Sequence, residues 1–266
     1  MVIGIPLRYD AVEKVNTFYI IKDVVDLFEG LNCKIRYLIP NQEVRNKEEK
    51  KEGKGTFYPL TEDNKKNVYD QISMVDGVFL PGGRVVTDFD RFIVKVCKEK
   101  NIPVLGVCLG MQIIANYDRD KVVLNPIDDH YQENDDELSH KVMIEENSIL
   151  YDILHKKEIM VNSFHKQSVE KTDSFDIIAI DENNVIEAIE VKDTYFILGV
   201  QWHPEISYRF DDNSKLIINY FINKCKSHSN KNYVDQDISF GSYRSKIDDT
   251  VIKLFITNDQ RKSYIV

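Results

Sequence analysis

Val104-Leu105-Gly106-Val107-Cys108-Leu109-Gly110-Met111-Gln112 starts as an apolar run and ends as the opening of a helix-like stretch. Its centre is Gly-x-Cys-x-Gly, the cysteine counterpart of the strand–turn–helix elbow that presents a nucleophile. Glycines on either side let the backbone crowd around a strained position. At the N-terminus of the helix that follows, the positive end of the dipole favours Cys108 as thiolate. Further along, Gly199-Val200-Gln201-Trp202-His203-Pro204-Glu205 ends a second apolar strand in an imidazole, a stiffening proline and a carboxylate. Glu205 can orient His203, and His203 can act as a base towards Cys108.

Outward from the elbow, short β-branched runs alternate with helical stretches, which predicts an α/β fold with a mostly parallel sheet. Strands are expected at Val2–Pro6, Cys33–Ile39, Gly77–Leu80 and Ile102–Val107, and helices at Phe18–Gly30, Asn64–Met74, Asp90–Lys100 and Leu109–Asn116. After about residue 135, strands separated by turns predict an antiparallel elaboration at Lys141–Ile144, Glu158–Val161, Ser168–Glu170, Asp176–Ile180, Val185–Val191 and Phe196–Gln201. Ser214–Lys226 carries the spacing of a last amphipathic helix. The charged stretch Asn41–Asp63 is expected to be a solvated loop, or alternatively a lid over the active site. Residues 1–228 are expected to form one catalytic domain, and 229–266 an extension whose segment Asp249–Ile256 resembles a further strand.

Acidic residues outnumber basic ones 44 to 35, for a net charge of −9, which argues against nucleic acid or an anionic membrane as the main partner. Cys33, Cys97, Cys108 and Cys225 form no Cys-x-x-Cys pair, so no disulfide framework or structural zinc site is expected, and a reduced cytoplasmic setting is the simplest reading. The N-terminal apolar stretch is too short for a signal sequence, and no run approaches membrane-spanning length. Cys33, Cys97 and Cys225 fall on apolar or amphipathic positions and are expected to be structural. His130, His140, His155 and His228 show no metal-ligand spacing; surface or structural places are expected for them, with no metal and no cofactor. Pro81-Gly82-Gly83 follows the strand at Gly77–Leu80, either as a tight turn or as a loop whose Gly83 amide joins that of Leu109 to form an oxyanion hole.

Taken in order, Pro-Gly-Gly at 81–83, Gly-Val-Cys-Leu-Gly-Met-Gln at 106–112, Val-Asn-Ser-Phe-His at 161–165 and Val-Gln-Trp-His-Pro-Glu at 200–205 resemble the class I, triad-type glutamine amidotransferases. Within them the chain is most similar to the γ-glutamyl hydrolase branch, which includes γ-glutamyl-γ-aminobutyrate hydrolase. Lys166 and Leu109 depart from that branch's usual residues. The resemblance implies a doubly wound sheet with helices on both faces. It also implies hydrolysis of a γ-glutamyl amide through a glutamyl-thioester. Carried over, Cys108 is the nucleophile, His203 the acid/base and Glu205 its orienter, with oxyanion amides from Gly83 and Leu109. Gly82, Gln112 and the Ser163-Phe164 backbone are expected to hold the glutamyl moiety, and His165 to contact the outgoing amine. A small γ-glutamyl compound is the expected substrate, and self-association is left open. Two alternatives remain: a glutaminase subunit feeding ammonia to a separate synthetase, and a non-catalytic redox-sensing module.

Overall fold

Val104–Val107 is buried on both faces, as strands of parallel sheets are, and it lies near the middle of a nine-stranded sheet. The computed structural model describes residues 1–12, 15–45, 47–51, 56–229 and 254–257. The first half of the chain runs β1 (Val2–Pro6), β2 (Arg8–Val12), β3 (Val15–Ile21), α1 (Lys22–Gly30), β4 (Lys34–Leu38), α2 (Lys47–Lys51), α3 (Glu62–Ile72), β5 (Gly77–Leu80), α4 (Asp88–Glu99), β6 (Val104–Val107) and α5 (Leu109–Ala115). The second half runs β7 (Leu124–Pro126), β8 (His140–Ile144), α6 (Ile149–Leu154), β9 (Glu158–Val161), β10 (Gln167–Val169), β11 (Phe175–Asp181), β12 (Ile186–Val191), β13 (Ile197–Val200), α7 (Pro204–Ser207), α8 (Asp212–His228) and β14 (Leu254–Thr257).

The large sheet has the order β4-β1-β5-β6-β13-β12-β11-β8-β9. From β4 to β13 neighbours are parallel; from β13 to β9 they are antiparallel. The expected elaboration is therefore a continuation of the same sheet. Side chains alternate between its two faces. Phe79, Leu105 and Leu198 point to a core shared with α1, α6 and α8. Val78, Leu80, Val104 and Ile197 point to a second core shared with α3, α4 and α5. Two apolar cores separated by one sheet are what a doubly wound fold requires.

Register decides where the site lies. Val200 pairs with Val107 and Leu80 with Gly106, so β5, β6 and β13 end at the same edge of the sheet. The segments that follow them begin with Pro81, Cys108 and Gln201, on the carboxyl side where α/β sheets gather their ligands.

Two expectations need correction, and one further helix was not expected. The helix expected over Phe18–Gly30 begins only at Lys22, because Phe18–Ile21 belongs to β3, which pairs antiparallel with β2. Inside Asn41–Asp63 there is a short helix, Lys47–Lys51, and Val44 bridges to Phe57; the ring of Phe57 packs 4.9 Å from Tyr9. That packing replaces a wholly solvated loop for the described part of this stretch. Helix α6, capped by the Ser148 side chain accepting from Tyr151 N–H, has only six residues and was not anticipated. Of the expected strand at 249–256, Leu254–Ile256 lies in β14, which pairs in parallel with β3, while 249–253 is outside the described residues. Among the described residues no helix is long and apolar enough to cross a membrane.

Candidate active site

Cys108 sits between β6 and α5 at φ 51°, ψ −108°, a backbone conformation that side-chain-bearing residues rarely adopt. It is fixed there from both sides: its N–H donates to Val200 O at 2.9 Å, and its carbonyl accepts from Gln112 N–H at 3.1 Å. The flanking glycines are required by space. A Cβ on Gly110 would stand 2.0 Å from Leu80 O, and one on Gly106 would stand 2.6 Å from the Gly110 carbonyl carbon. The elbow is therefore as tight as its glycines predict, and Cys108 is 8% exposed at its tip.

His203 caps the N-terminus of α7, with Pro204 at the first helical position, where its missing N–H costs nothing. Its Nδ1 lies 2.7 Å from Glu205 Oε1, and its side chain hydrogen-bonds Cys108. Both His203 and Glu205 are buried. Burial alone would push the imidazole's pKa down. The Glu205 carboxylate and the Cys108 sulfur more than reverse this, and it is raised from 6.5 to about 10. Asn162, wholly buried, holds the His203 backbone from both sides: Oδ1 accepts from His203 N–H at 2.8 Å, and Nδ2 donates to His203 O at 2.9 Å. Sequence reading noted Asn162 only as part of a motif. Its contacts join residues 41 positions apart, which no local spacing reveals.

Pro81-Gly82-Gly83 is set by Arg8, a buried arginine that sequence reading passed over. Arg8 Nη2 donates to Pro81 O at 2.8 Å, Nε to Gly82 O at 3.2 Å, and Nη1 pairs with Asp90 Oδ1 at 2.8 Å. No peptide is cis, so C=O and N–H point in opposite directions across each plane. With the Gly82 carbonyl drawn to Arg8, the Gly83 N–H faces away from that guanidinium. A Cβ on Gly83 would come within 2.9 Å of Leu109 Cδ2, so this loop lies directly against the elbow. Leu109 is the first residue of α5, and the helix itself leaves its N–H without an internal partner.

The segment expected to hold the glutamyl moiety is arranged differently from the expectation. Both donors of the Gln112 amide face protein acceptors, Gln167 O at 3.1 Å and Gln201 Oε1 at 3.3 Å, which leaves its carbonyl oxygen to turn elsewhere. Ser163 is occupied by the fold: its N–H donates to Gln132 Oε1, its carbonyl accepts from Gln132 N–H, and its hydroxyl donates to His130 O. Phe164 bridges Tyr131 as the non-hydrogen-bonded pair of the short ladder, so its own peptide groups point outward, and its ring packs 5.6 Å from His203. Of the Ser163-Phe164 backbone, then, Phe164 is the part placed to meet a ligand.

His165 is turned away from its expected role. It is 3% exposed; Nδ1 faces Gln167 O at 3.2 Å and Nε2 lies 3.4 Å from Glu187 Oε1. The same carboxylate gathers His130 and His140, and His130, His140 and Glu187 bring ligand atoms within 4.8 Å of one another. The expectation that His130 and His140 lack metal-ligand spacing is corrected. Strand pairing joins positions whose sequence separation hides the cluster. His155 ends α6 in a left-handed cap. Cys33, Cys97 and Cys225 are buried, and burial pushes all three thiols up, in keeping with structural places.

The model of the family Peptidase C26 matches residues 87–205. A Schizosaccharomyces pombe protein provisionally named a glutamine amidotransferase is 30% identical over 209 residues, covering 65% of this chain and 79% of that protein. The CTP synthase of Sulfurisphaera tokodaii is 29% identical over 55% of this chain and 34% of its own length. The gamma-glutamyl-CDP-amidate hydrolase of Campylobacter jejuni is 28% identical over 44% of this chain and 50% of its own. In fold, the chain is similar to the glutaminase domain of Trypanosoma brucei CTPS, with TM-score 0.57 at 21% identity, covering 88% of this chain and 95% of that one. The chain belongs to the Peptidase C26, or class I glutamine amidotransferase, family. It is accordingly an enzyme of the amidotransferase and hydrolase type.

Proposed function

We propose that this chain hydrolyses a γ-glutamyl amide through a glutamyl-thioester on Cys108. The observation that carries the reading is Cys108 at φ 51°, hydrogen-bonded to an imidazole that Glu205 holds at 2.7 Å. Cys108 sulfur attacks the γ-carbonyl carbon, and the C=O electrons move to oxygen. The Gly83 and Leu109 amides receive that oxyanion. A donor of this kind is worth about 3 kcal/mol of barrier. His203, held protonated by Glu205 and the sulfur, gives its proton to the leaving amine as the C–N bond breaks. Water then enters, His203 takes one of its protons, and the thioester opens to glutamate and the thiolate. Gly82, the Gln112 carbonyl oxygen and the Phe164 peptide line the glutamyl position. Every proton has a resident donor or acceptor, so side chains and amides suffice for these steps.

The relative that acts on a γ-glutamyl-CDP-amidate favours a free-standing hydrolase; the CTP synthase relative supports a second reading, a glutaminase delivering ammonia to a synthetase. The test is mass spectrometry of the protein quenched during turnover of a panel containing glutamine and γ-glutamyl amines. A glutamyl adduct on the Cys108 peptide is expected with at least one of them. Cys108→Ser is expected to lower glutamate release by at least about a thousandfold with the far-ultraviolet spectrum unchanged. Undiminished turnover in that variant would remove the assignment.

A further inference from the structure

Glu187 lies on β12 with its side chain wholly buried, and its backbone carbonyl accepts from Gln201 N–H at 2.7 Å. Three imidazoles converge on its carboxylate from different parts of the chain. His130 comes from the segment between β7 and β8, His140 opens β8, and His165 follows β9. Their Nε2 atoms lie 3.8, 3.5 and 3.4 Å from the same oxygen, Glu187 Oε1. The rings of His140 and His165 each stand 5.0 Å from that of His130. Yet neither Glu187 oxygen, nor Nε2 of His140 or His165, makes a hydrogen bond of good geometry, although burial, which would raise the Glu187 pKa, is outweighed by the His140 and His165 imidazoles beside it. A buried carboxylate with no donor is costly, and structures keep one only where something compensates its charge.

Proton positions say what that something is. His130 Nδ1 lies 2.9 Å from Asp128 O, and His165 Nδ1 lies 3.2 Å from Gln167 O. A carbonyl only accepts, so both Nδ1 atoms carry the proton, and in the neutral ring Nε2 presents a lone pair. Those lone pairs face carboxylate oxygens: Glu187 for both, and Asp181 Oδ2 at 3.2 Å for His130. Unless the rings gain a second proton or a metal ion lies between them, such an arrangement repels. With a metal it is the usual one, since ligating histidines donate their other N–H to a carbonyl or carboxylate. Ligand atoms of His130, His140 and Glu187 lie within 4.8 Å of one another, and a tetrahedral ion with ligands at about 2.1 Å would draw them in to about 3.4 Å.

We infer that His130, His140 and Glu187 bind one divalent transition metal of the zinc class, with His165 beside Glu187. Two nitrogens and one carboxylate oxygen suit zinc and leave its fourth position to water. Asp181 stays outside the tetrahedron, because its Oδ1 accepts the Asn183 and Val185 N–H groups and its Oδ2 accepts from Asn183 Nδ2 at 3.3 Å. The ion fastens the Tyr131–Phe164 bridge to β12. Phe164 touches His203, so the ion sets the wall of the active site without touching the reacting atoms.

The full chain, purified without an affinity tag that binds metal, would be dialysed and then titrated with zinc chloride and with cobalt chloride. Metal content would be read by plasma mass spectrometry and cobalt geometry by visible absorption. The expected result is about one zinc per chain, a melting temperature raised by zinc, and the intense absorption of four-coordinate cobalt. His140→Gln, at the most exposed of the three ligands, is expected to fold and to lower zinc affinity at least tenfold with loss of the cobalt bands. Cys108→Ser is expected to keep both, which separates this site from the elbow thiol. Wild-type protein that takes up neither ion at micromolar concentrations overturns the inference, and so does uptake equal in wild type and His140→Gln. Either result would mean that a protonated histidine cluster alone compensates Glu187.

Discussion

At 2.7 Å from Glu205 Oε1, the His203 imidazole is raised to about 10 although burial pulls the other way. In the proposed mechanism the protonated ring donates to the leaving amine, and raising its pKa extends that form to higher pH. Glu205→Gln removes one of the two negative neighbours and leaves the burial in place. The alkaline limb of kcat/KM is therefore expected to move down by at least about one pH unit, with kcat lowered about 100-fold. The same shift bears on stability. A histidine whose folded value exceeds its unfolded one stabilises fully below about 6.5, and that contribution drains away as pH rises towards about 10. Melting temperatures of wild type and Glu205→Gln are thus expected to converge across that interval. A pH profile identical in the two proteins would show that Glu205 does not govern the ring.

Among the elements, the β6–α5 elbow was legible because its constraint is local: two glycines four residues apart where strand and helix nearly touch. Gly110→Ala puts a methyl 2.0 Å from Leu80 O and 2.8 Å from Leu80 Cβ, where no flexible side chain can yield. Its expected cost is at least about 3 kcal/mol, at the severe end of overpacking. Gly30→Ala is the control, since its Cβ meets nothing within 4 Å. Replacing glycine at the end of α1 is expected to leave stability unchanged or raise it by about 0.5 kcal/mol. Urea unfolding of both variants checks the pair, and equal midpoints would contradict the steric reading of the elbow. The β2–β3 hairpin was misread for the opposite reason. Ile20, Ile21, Val24, Val25, Leu27 and Phe28 fit a helical stripe, and only pairing with Arg8–Val12 shows that the first two belong to a strand. Helix α6 escaped notice because six residues are too few to display a period.

For the molecule as a whole, the class of fold and the strands of the large sheet followed from alternation of apolar runs. The partners of the site did not. Arg8 meets Pro81–Gly82, Asn162 meets His203, and three histidines meet Glu187 only because β1, β5, β8, β12 and β13 share one sheet. Such juxtapositions come from topology and leave no mark on neighbouring letters. One consequence separates the two functional readings. Cys108, its hydrogen-bonded His203 and the Glu205 carboxylate beside that ring all come from this one chain. A centre already assembled needs no partner to align it. The purified protein is therefore expected to release glutamate from its preferred γ-glutamyl amide at a rate per chain that stays constant on about a hundredfold dilution, because loss of a partner is what dilution would expose. A glutaminase tied to a synthetase would behave differently: feeble alone, specific for glutamine, and accelerated when the synthetase and its nucleotide are added. Glutamine-only turnover that appears on adding such a partner would transfer the chain to the second reading, with Cys108 and His203 keeping their roles and the fate of the ammonia changed.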